Sequence, residues 1–226
     1  MSGEIKKTIT IADIKADPEI SLYLTRSTEY LKQLGFTDHG HRHASLVSLL
    51  AKRVLSELKY PERICEIAAI AGYLHDIGNL INRYNHGGSG AIMAYSILNR
   101  MGMNPEEIAL IISAIGNHEE ERGNPINPVA AALILADKSD VHRSRVTNRD
   151  FAKFEIHDRV NYAVESGNFA VDYNNRRMTL ELIIDTNICP VMEYFEIFLL
   201  RMVMCRRAAE FLECKFHLVI NENELL

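Results

Sequence analysis

Tyr73-Leu74-His75-Asp76-Ile77-Gly78 closes an apolar run that begins near Pro61, and its reading decides the fold. His75 falls in line with Ile64, Ala68 and Ala71, at spacings of three or four residues. A helix over about 61–77 therefore turns His75 inward with the apolar face. A buried imidazole needs partners, and an ionised aspartate buried alone is costly. Working outward, the same conflict recurs on three more predicted helices. His43 shares a stripe with Val47, Leu50 and Val54, His118 with Ile108, Ile111 and Ile115, and Asp137 with Ala130, Leu133 and Ile134. Taken singly, an inward histidine is more often a hydrogen-bonded core residue, and an aspartate near a helix end is more often a cap. Four such groups on four helices facing one core can satisfy one another through a metal ion.

The helices around this stretch carry recurrent start signals. Asp17-Pro18-Glu19, Tyr60-Pro61-Glu62 and Asn104-Pro105-Glu106 each place proline where its missing N–H is harmless, beside an acid that suits the positive end of the helix dipole. Asp17 and Asn104 can also cap free N–H groups. Helices are expected at about 18–34, 43–58, 61–77, 88–101, 105–118 and 127–143. Beyond residue 146 the character changes. Residues 150–167 read as helix, Phe169–Tyr173 and Met178–Ile184 as a hairpin around Asn174-Asn175, about 190–213 as a long apolar helix, and Phe216–Ile220 as a short strand. The expected division is an N-terminal helical segment (1–36), a metal-binding core (37–146) and a C-terminal α+β appendage (147–226).

The chain has 226 residues, 47% of them hydrophobic, enough for a sizeable core. Its formal net charge of -5 supplies no overall basic field, so no nucleic-acid duplex is expected as a partner. No run approaches a membrane span or a signal peptide, so no membrane partner is expected. Cys65, Cys189, Cys205 and Cys214 form no C-x-x-C pair and read as reduced core residues, which fits a cytoplasmic location.

The ordered string His43, His75-Asp76, His86, His118, Asp137 resembles the HD-domain phosphohydrolase superfamily over roughly residues 40–145. His86 with Gly90-Ala91, and His118-Glu119 with Gly123 and Pro125, resemble the extra histidines of two-metal members. Ala136-Asp137-Lys138 resembles their closing aspartate segment. The extended pattern is similar to HD-type dinucleoside polyphosphate hydrolases and, more loosely, to HD-GYP cyclic-dinucleotide phosphodiesterases. Two positions depart from these relatives. Asn79 stands where many carry lysine, and Asn124-Pro125 stands where HD-GYP enzymes carry Gly-Tyr-Pro, which argues against cyclic-dinucleotide cleavage.

The resemblance implies a mainly α fold, an HD-domain helical bundle with a small C-terminal α+β appendage. It also implies a cytoplasmic metal-dependent phosphohydrolase acting on a small phosphorylated, nucleotide-like substrate by a metal-bridged hydroxide. Asp76 would bridge two divalent transition-metal ions, iron or manganese. His43, His75 and Asp137 would complete one shell, and His86 and His118 would hold the second metal. Lys138 is expected to steady phosphate charge in catalysis. Arg143, Arg145 and Asn117 are further substrate-binding candidates, with His142 and Arg83 weaker ones. His41 competes with His43 as a ligand, and the helical stripe favours His43. His157 and His217 read as surface or structural, Glu119-Glu120-Glu121 as a solvated helix end, and Met192, Met202 and Met204 as core filling. Two other functions remain open: a diiron oxygenase of the same fold, and a nucleotide-binding sensor without turnover. The appendage has two open roles, gating the pocket or forming a homodimer interface.

Overall fold

The computed structural model describes residues 8–120, 122–146, 148 and 154–225. In chain order these form α1 (Ile11–Ala16), α2 (Pro18–Gln33), α3 (His41–Glu57), α4 (Glu62–Leu74), a 3-10 turn (Ile77–Leu80), α5 (His86–Arg100), α6 (Pro105–Gly116) and α7 (Pro128–Lys138). A second 3-10 turn (Arg143–Arg145) leads to α8 (Ile156–Ala163), β1 (Val164–Asp172), β2 (Arg177–Ile184), α9 (Val191–Phe211), β3 (Lys215–Ile220) and β4 (Asn223–Glu224). The mainly α bundle with a small α+β appendage is the fold expected from the sequence.

α7 sits at the centre. Every residue from Val129 to Lys138 is buried, as expected of a helix that is apolar nearly all round. It packs against α3, α4, α6 and α9. Asn127 caps its start by accepting from the Ala130 N–H, and Pro128 takes the first turn. The same device starts α2, where Asp17 caps, and α6, where Asn104 caps. At α4 the pattern shifts by one residue, because Pro61 stands before the helix without a side-chain cap.

Three expected helices are shorter than the apolar stripes suggest. α4 stops at Leu74, and the chain tightens into the 3-10 turn after Asp76. α6 stops at Gly116, so His118 lies two residues past it, and α7 stops at Lys138 rather than near 143. The first break is imposed by packing. A Cβ on Gly78 would overlap the His86 carbonyl oxygen and the Gly90 nitrogen, so the turn carrying Asp76 lies directly on the start of α5. α5 itself begins at His86, two residues before the sequence expectation, after Asn85 in a left-handed conformation (φ 58°).

The appendage needs one correction. Residues 150–167 do not form a single helix. α8 ends at Ala163, and Val164–Gly167 belong to β1, paired antiparallel with β2 up to Ile184. Ladder pairing with Leu182–Ile184 of β2, and burial of Val164 against that strand, outweigh the local helical pattern there. Residues 150–153 of that expected helix lie outside the described residues. The hairpin is present, but its positive φ falls on Arg176 (51°), not on Asn174 or Asn175. β2 and β3 are parallel, joined by α9 as the crossover, and β4 adds an antiparallel edge. The four cysteines are buried and unpaired. Among the described residues no helix is long and apolar enough to cross a membrane.

α3 and α4 approach closely at Gly72, where a Cβ would lie 2.9 Å from the Ser48 nitrogen and Cα and from the Val47 carbonyl oxygen. All three atoms are backbone, so neither helix can yield locally. Gly72→Ala gains about 1 kcal/mol of helix propensity but incurs overpacking at the upper end of ~1–3 kcal/mol. Thermal unfolding of this variant should show a lower Tm by several degrees; an equal or higher Tm would show that the helices can separate without penalty.

Candidate metal centre

The helix ends converge on one buried point. His43 comes from the first turn of α3, His75 and Asp76 from the end of α4, His86 from the start of α5, His118 from just past α6, and Asp137 from the last turn of α7. All six are buried. His43 Nε2 lies 3.2 Å from His75 Nε2, 3.6 Å from Asp76 Oδ2 and 3.3 Å from Asp137 Oδ1. His75 Nε2 lies 3.4 Å from Asp76 Oδ2. On the other side His86 Nε2 lies 3.0 Å from His118 Nε2 and 3.2 Å from Asp76 Oδ1, with His118 Nε2 4.0 Å from the same oxygen.

The second ring nitrogens explain why every Nε2 faces this point. His75 Nδ1 donates to the Gly72 carbonyl at 2.8 Å, and His118 Nδ1 to that of Ile115 at 2.6 Å. His86 Nδ1 faces both the Arg83 carbonyl and Glu119 Oε1 at 2.9 Å, and His43 Nδ1 donates to Asp140 Oδ2 at 2.7 Å. A carbonyl or carboxylate acceptor holds the proton on Nδ1 and turns Nε2 inward as a ligand atom.

Burial alone would raise both carboxyl groups. Opposing it, His75 and His39 hold Asp76 well below the usual carboxylate range, and Lys138 with His43 and His75 does the same for Asp137. Burial would lower His75, but Asp76 and Asp137 outweigh it and push the ring up to about 10. Burial, reinforced by His75 and His86, lowers His118 to about 3. Asp76 Oδ2 is buried and has no hydrogen-bond partner among the described residues. Paired imidazole nitrogens and an orphaned carboxylate oxygen are a donor set that fits divalent first-row metals. Three overlapping groups, His43/His75/Asp76, His75/His118/Asp137 and Asp76/His86/His118, each bring their ligand atoms within 4.8 Å of one another.

Residues 31–141 match the model of the HD domain. This stretch of the chain is an HD domain. The solved structure of a predicted HD superfamily hydrolase from an uncultured Thermotogales bacterium is similar at 26% identity, covering 55% of this chain and 67% of that one, with a TM-score of 0.44. No curated protein sequence matches the chain.

Around the HD centre the other expected residues take varied places. Lys138 does not face open space. Its ammonium donates to Asp137 Oδ2 at 2.7 Å and Glu120 Oε1 at 2.9 Å in a buried setting. Arg145 is buried and donates to the Asp140 carbonyl at 2.7 Å. Arg143 pairs with Glu165 at 3.2 Å and lies over the Tyr162 ring, away from the cluster. Asn117 donates to the Ser113 carbonyl at the end of α6. His41 faces Thr25 and Tyr73 instead of the centre, and His142 faces the Glu165 backbone. Arg83 stands closer than expected, 3.9 Å from Asp76 Oδ1 and 3.2 Å from Asn79 Oδ1.

Glu119 and Glu120 are not a solvated helix end. Glu119 accepts from the Gly87 N–H at 2.6 Å and braces His86, while Glu120 holds Lys138 and, at 3.0 Å, Arg201 of α9. Burial would raise Glu120, but Lys138 and Arg201 lower it to about 2. Glu121 lies outside the described residues. Asp140 was absent from the sequence expectation. It orients His43 and is held by Arg42 at 2.8 Å, and the His43 hydrogen bond with both neighbouring arginines keeps it well below the usual range against burial. Its only sequence signal is its place three residues after Asp137.

Two openings flank the cluster. One, a cavity of about 230 Å³, is lined by His39, Arg83 and Arg145 and by His157, Phe198 and Arg201 of the appendage. His157 thus faces the cavity, whereas His217 pairs with Glu224. The other, of about 340 Å³, is lined by Phe36, Arg83, His86, Glu119 and Arg122. Asp140→Asn keeps an acceptor for His43 but removes the negative charge behind it. Metal affinity, measured by competition with a chromogenic chelator, should fall about 10–100-fold with the far-UV circular dichroism preserved; unchanged affinity would show that His43 is not a ligand or needs no carboxylate behind it.

Proposed function

We propose that the chain is a metal-dependent phosphohydrolase cleaving a phosphate ester or anhydride of a small, nucleotide-like molecule. In this reading two divalent ions, iron or manganese, are held by His43, His75, Asp76, His86, His118 and Asp137, with Asp76 shared between them. The observation that carries it is the position of Asp76. Oδ1 faces His86 and His118, while Oδ2, without a partner of its own, faces His43 and His75. A metal pair held there would supply Lewis acidity and lower the pKa of a coordinated water.

The chain's own contribution is the placement of charge. Arg83 lines both openings and stands 3.9 Å from Asp76 Oδ1, so its guanidinium meets an anion at the edge of the cluster from either direction. A guanidinium grips phosphate oxygens in pairs. Arg145 and Arg201 add positive charge to the smaller cavity. Lys138 acts one step further back, neutralising Asp137 and Glu120 so that Asp137 keeps its orientation. In the smaller cavity three arginines face two carboxyl groups, those of Glu155 and Asp158, a net positive lining that suits an anionic substrate, phosphate ester or phosphonate alike.

The test is anaerobic. Protein stripped by chelator and reloaded with manganese or ferrous iron should release inorganic phosphate from a panel of nucleotides, dinucleotides and simple phosphate esters, and the stripped protein should not. Arg83→Ala should lose on the order of 10²–10³ in kcat/KM at unchanged metal content. A fully metallated protein that releases no phosphate from the panel, but consumes oxygen with a small organic substrate, would replace this proposal with the oxygenase.

A further inference from the structure

α9 carries apolar residues on both sides but is covered on one. Tyr194, Phe198, Met202, Cys205 and Ala209 are buried, and that side packs against α7, α8 and β3. The opposite side keeps an apolar set of its own. Met192 is 70% exposed, Leu200 60% and Phe211 42%, with Val203 half-buried among them. A helix that is apolar nearly all round is normally buried all round. Single exposed leucines are ordinary, whereas a contiguous apolar stripe marks an interaction surface. Here the spacing makes the stripe contiguous. Met192, Glu196, Leu200, Val203, Arg207 and Phe211 succeed one another at three or four residues, with Leu199 alongside. The two charges in the stripe, Glu196 and Arg207, are exposed and pair with no other side chain among the described residues. Their neighbours are already engaged, Glu193 with Arg159 at 2.8 Å and Arg206 with Glu210 at 3.9 Å.

This stripe is complementary to its own reverse. A two-fold axis passing between Arg201 and Met202 lays a second α9 antiparallel on the first. Glu196 then meets Arg207 of the partner subunit, Leu200 meets Val203 of the partner subunit, and Met192 and Phe211 close the two ends. Symmetry makes each of these contacts twice. We infer that the outer face of α9 is a homodimer interface, an antiparallel α9 pair with Leu199, Leu200 and Val203 at its centre and Glu196–Arg207 ion pairs between subunits. A different protein would have to carry the same order of apolar and charged groups reversed, whereas a second copy of this chain supplies it from the same residues. The inner face of α9 brings Phe198 and Arg201 to the smaller cavity, so pairing of the outer faces anchors the helix that forms that wall. No residue of the stripe lines either opening, and the inference stands apart from the hydrolytic proposal.

The test is sedimentation equilibrium of the full chain loaded with manganese, which should give a dimer in the micromolar range. Leu200→Glu places charge at the apolar centre and should give monomer with the far-UV circular dichroism preserved. Glu196→Arg and Arg207→Glu each set like charges against one another twice per dimer, and each should raise the dimer Kd on the order of tenfold or more. Combining the two reversals restores opposite charges across the interface and should return Kd to within a few-fold of wild type. Damage to the helix itself would not be rescued in this way. A monomeric wild type, a dimer indifferent to Leu200→Glu, or a double reversal as weak as the single ones would each overturn the inference. Since association and not phosphate release is read, failure of the hydrolytic proposal would leave the interface standing.

Discussion

Two carboxylates and four imidazoles buried within hydrogen-bond reach of one another set the terms for the rest of this structure. Desolvating an ionised carboxylate costs several kcal/mol even in a relaxed protein. The chain offsets part of that burden itself. Lys138 pairs with Asp137 at 2.7 Å. The offset is incomplete, because Asp76 Oδ2 remains without a hydrogen-bond partner among the described residues. A divalent cation removes the mismatch in one step, since it accepts the carboxylate oxygens and the Nε2 lone pairs together.

Local structure follows from the need to bring these donors to one point. α4 must end at Leu74 so that His75 and Asp76 can face different neighbours, and Gly78 lets that turn rest on the first turn of α5. The rings are aimed by backbone carbonyls three residues earlier, those of Gly72 and Ile115 near the ends of α4 and α6 and that of Arg83 in the loop before α5, so helix ends and one loop set the ligand tautomers. Carbonyls near helix ends lack intrahelical partners, and donating imidazoles satisfy them. Asp140 and Glu119 complete the brace with charge.

This division explains what could be read from the residues alone. His43, His75, His118 and Asp137 were legible because each interrupts an apolar stripe at helical spacing. His86 was not. It begins its helix with no preceding stripe, and only resemblance to two-metal relatives singles it out. The stripes misled about length, since periodicity continues through residues that leave the helix to serve the cluster. Glu119, Glu120 and Asp140 were illegible for a different reason. A run of acids beside a turn reads as solvated unless its cationic partners are known, and Lys138, Arg201 and Arg42 come from distant parts of the chain. Lys138 illustrates the converse. Adjacency to Asp137 suggested an outward phosphate ligand, whereas burial turned it onto two carboxylates. Val164–Gly167 read as helix because the strand they pair with lies some fifteen to twenty residues on.

The central claim is that the buried acids and imidazoles are completed by metal, and the most direct measurement is thermal unfolding of chelator-stripped protein titrated with manganese or ferrous iron. Each site filled to 100 times its Kd should add about 2.7 kcal/mol of stability, so Tm should rise and saturate near two equivalents per chain. In Asp76→Asn, which removes the shared charge while keeping the size of the side chain, most of that rise should vanish. A Tm that does not respond to any divalent transition metal, in protein whose fold is intact, would contradict the claim.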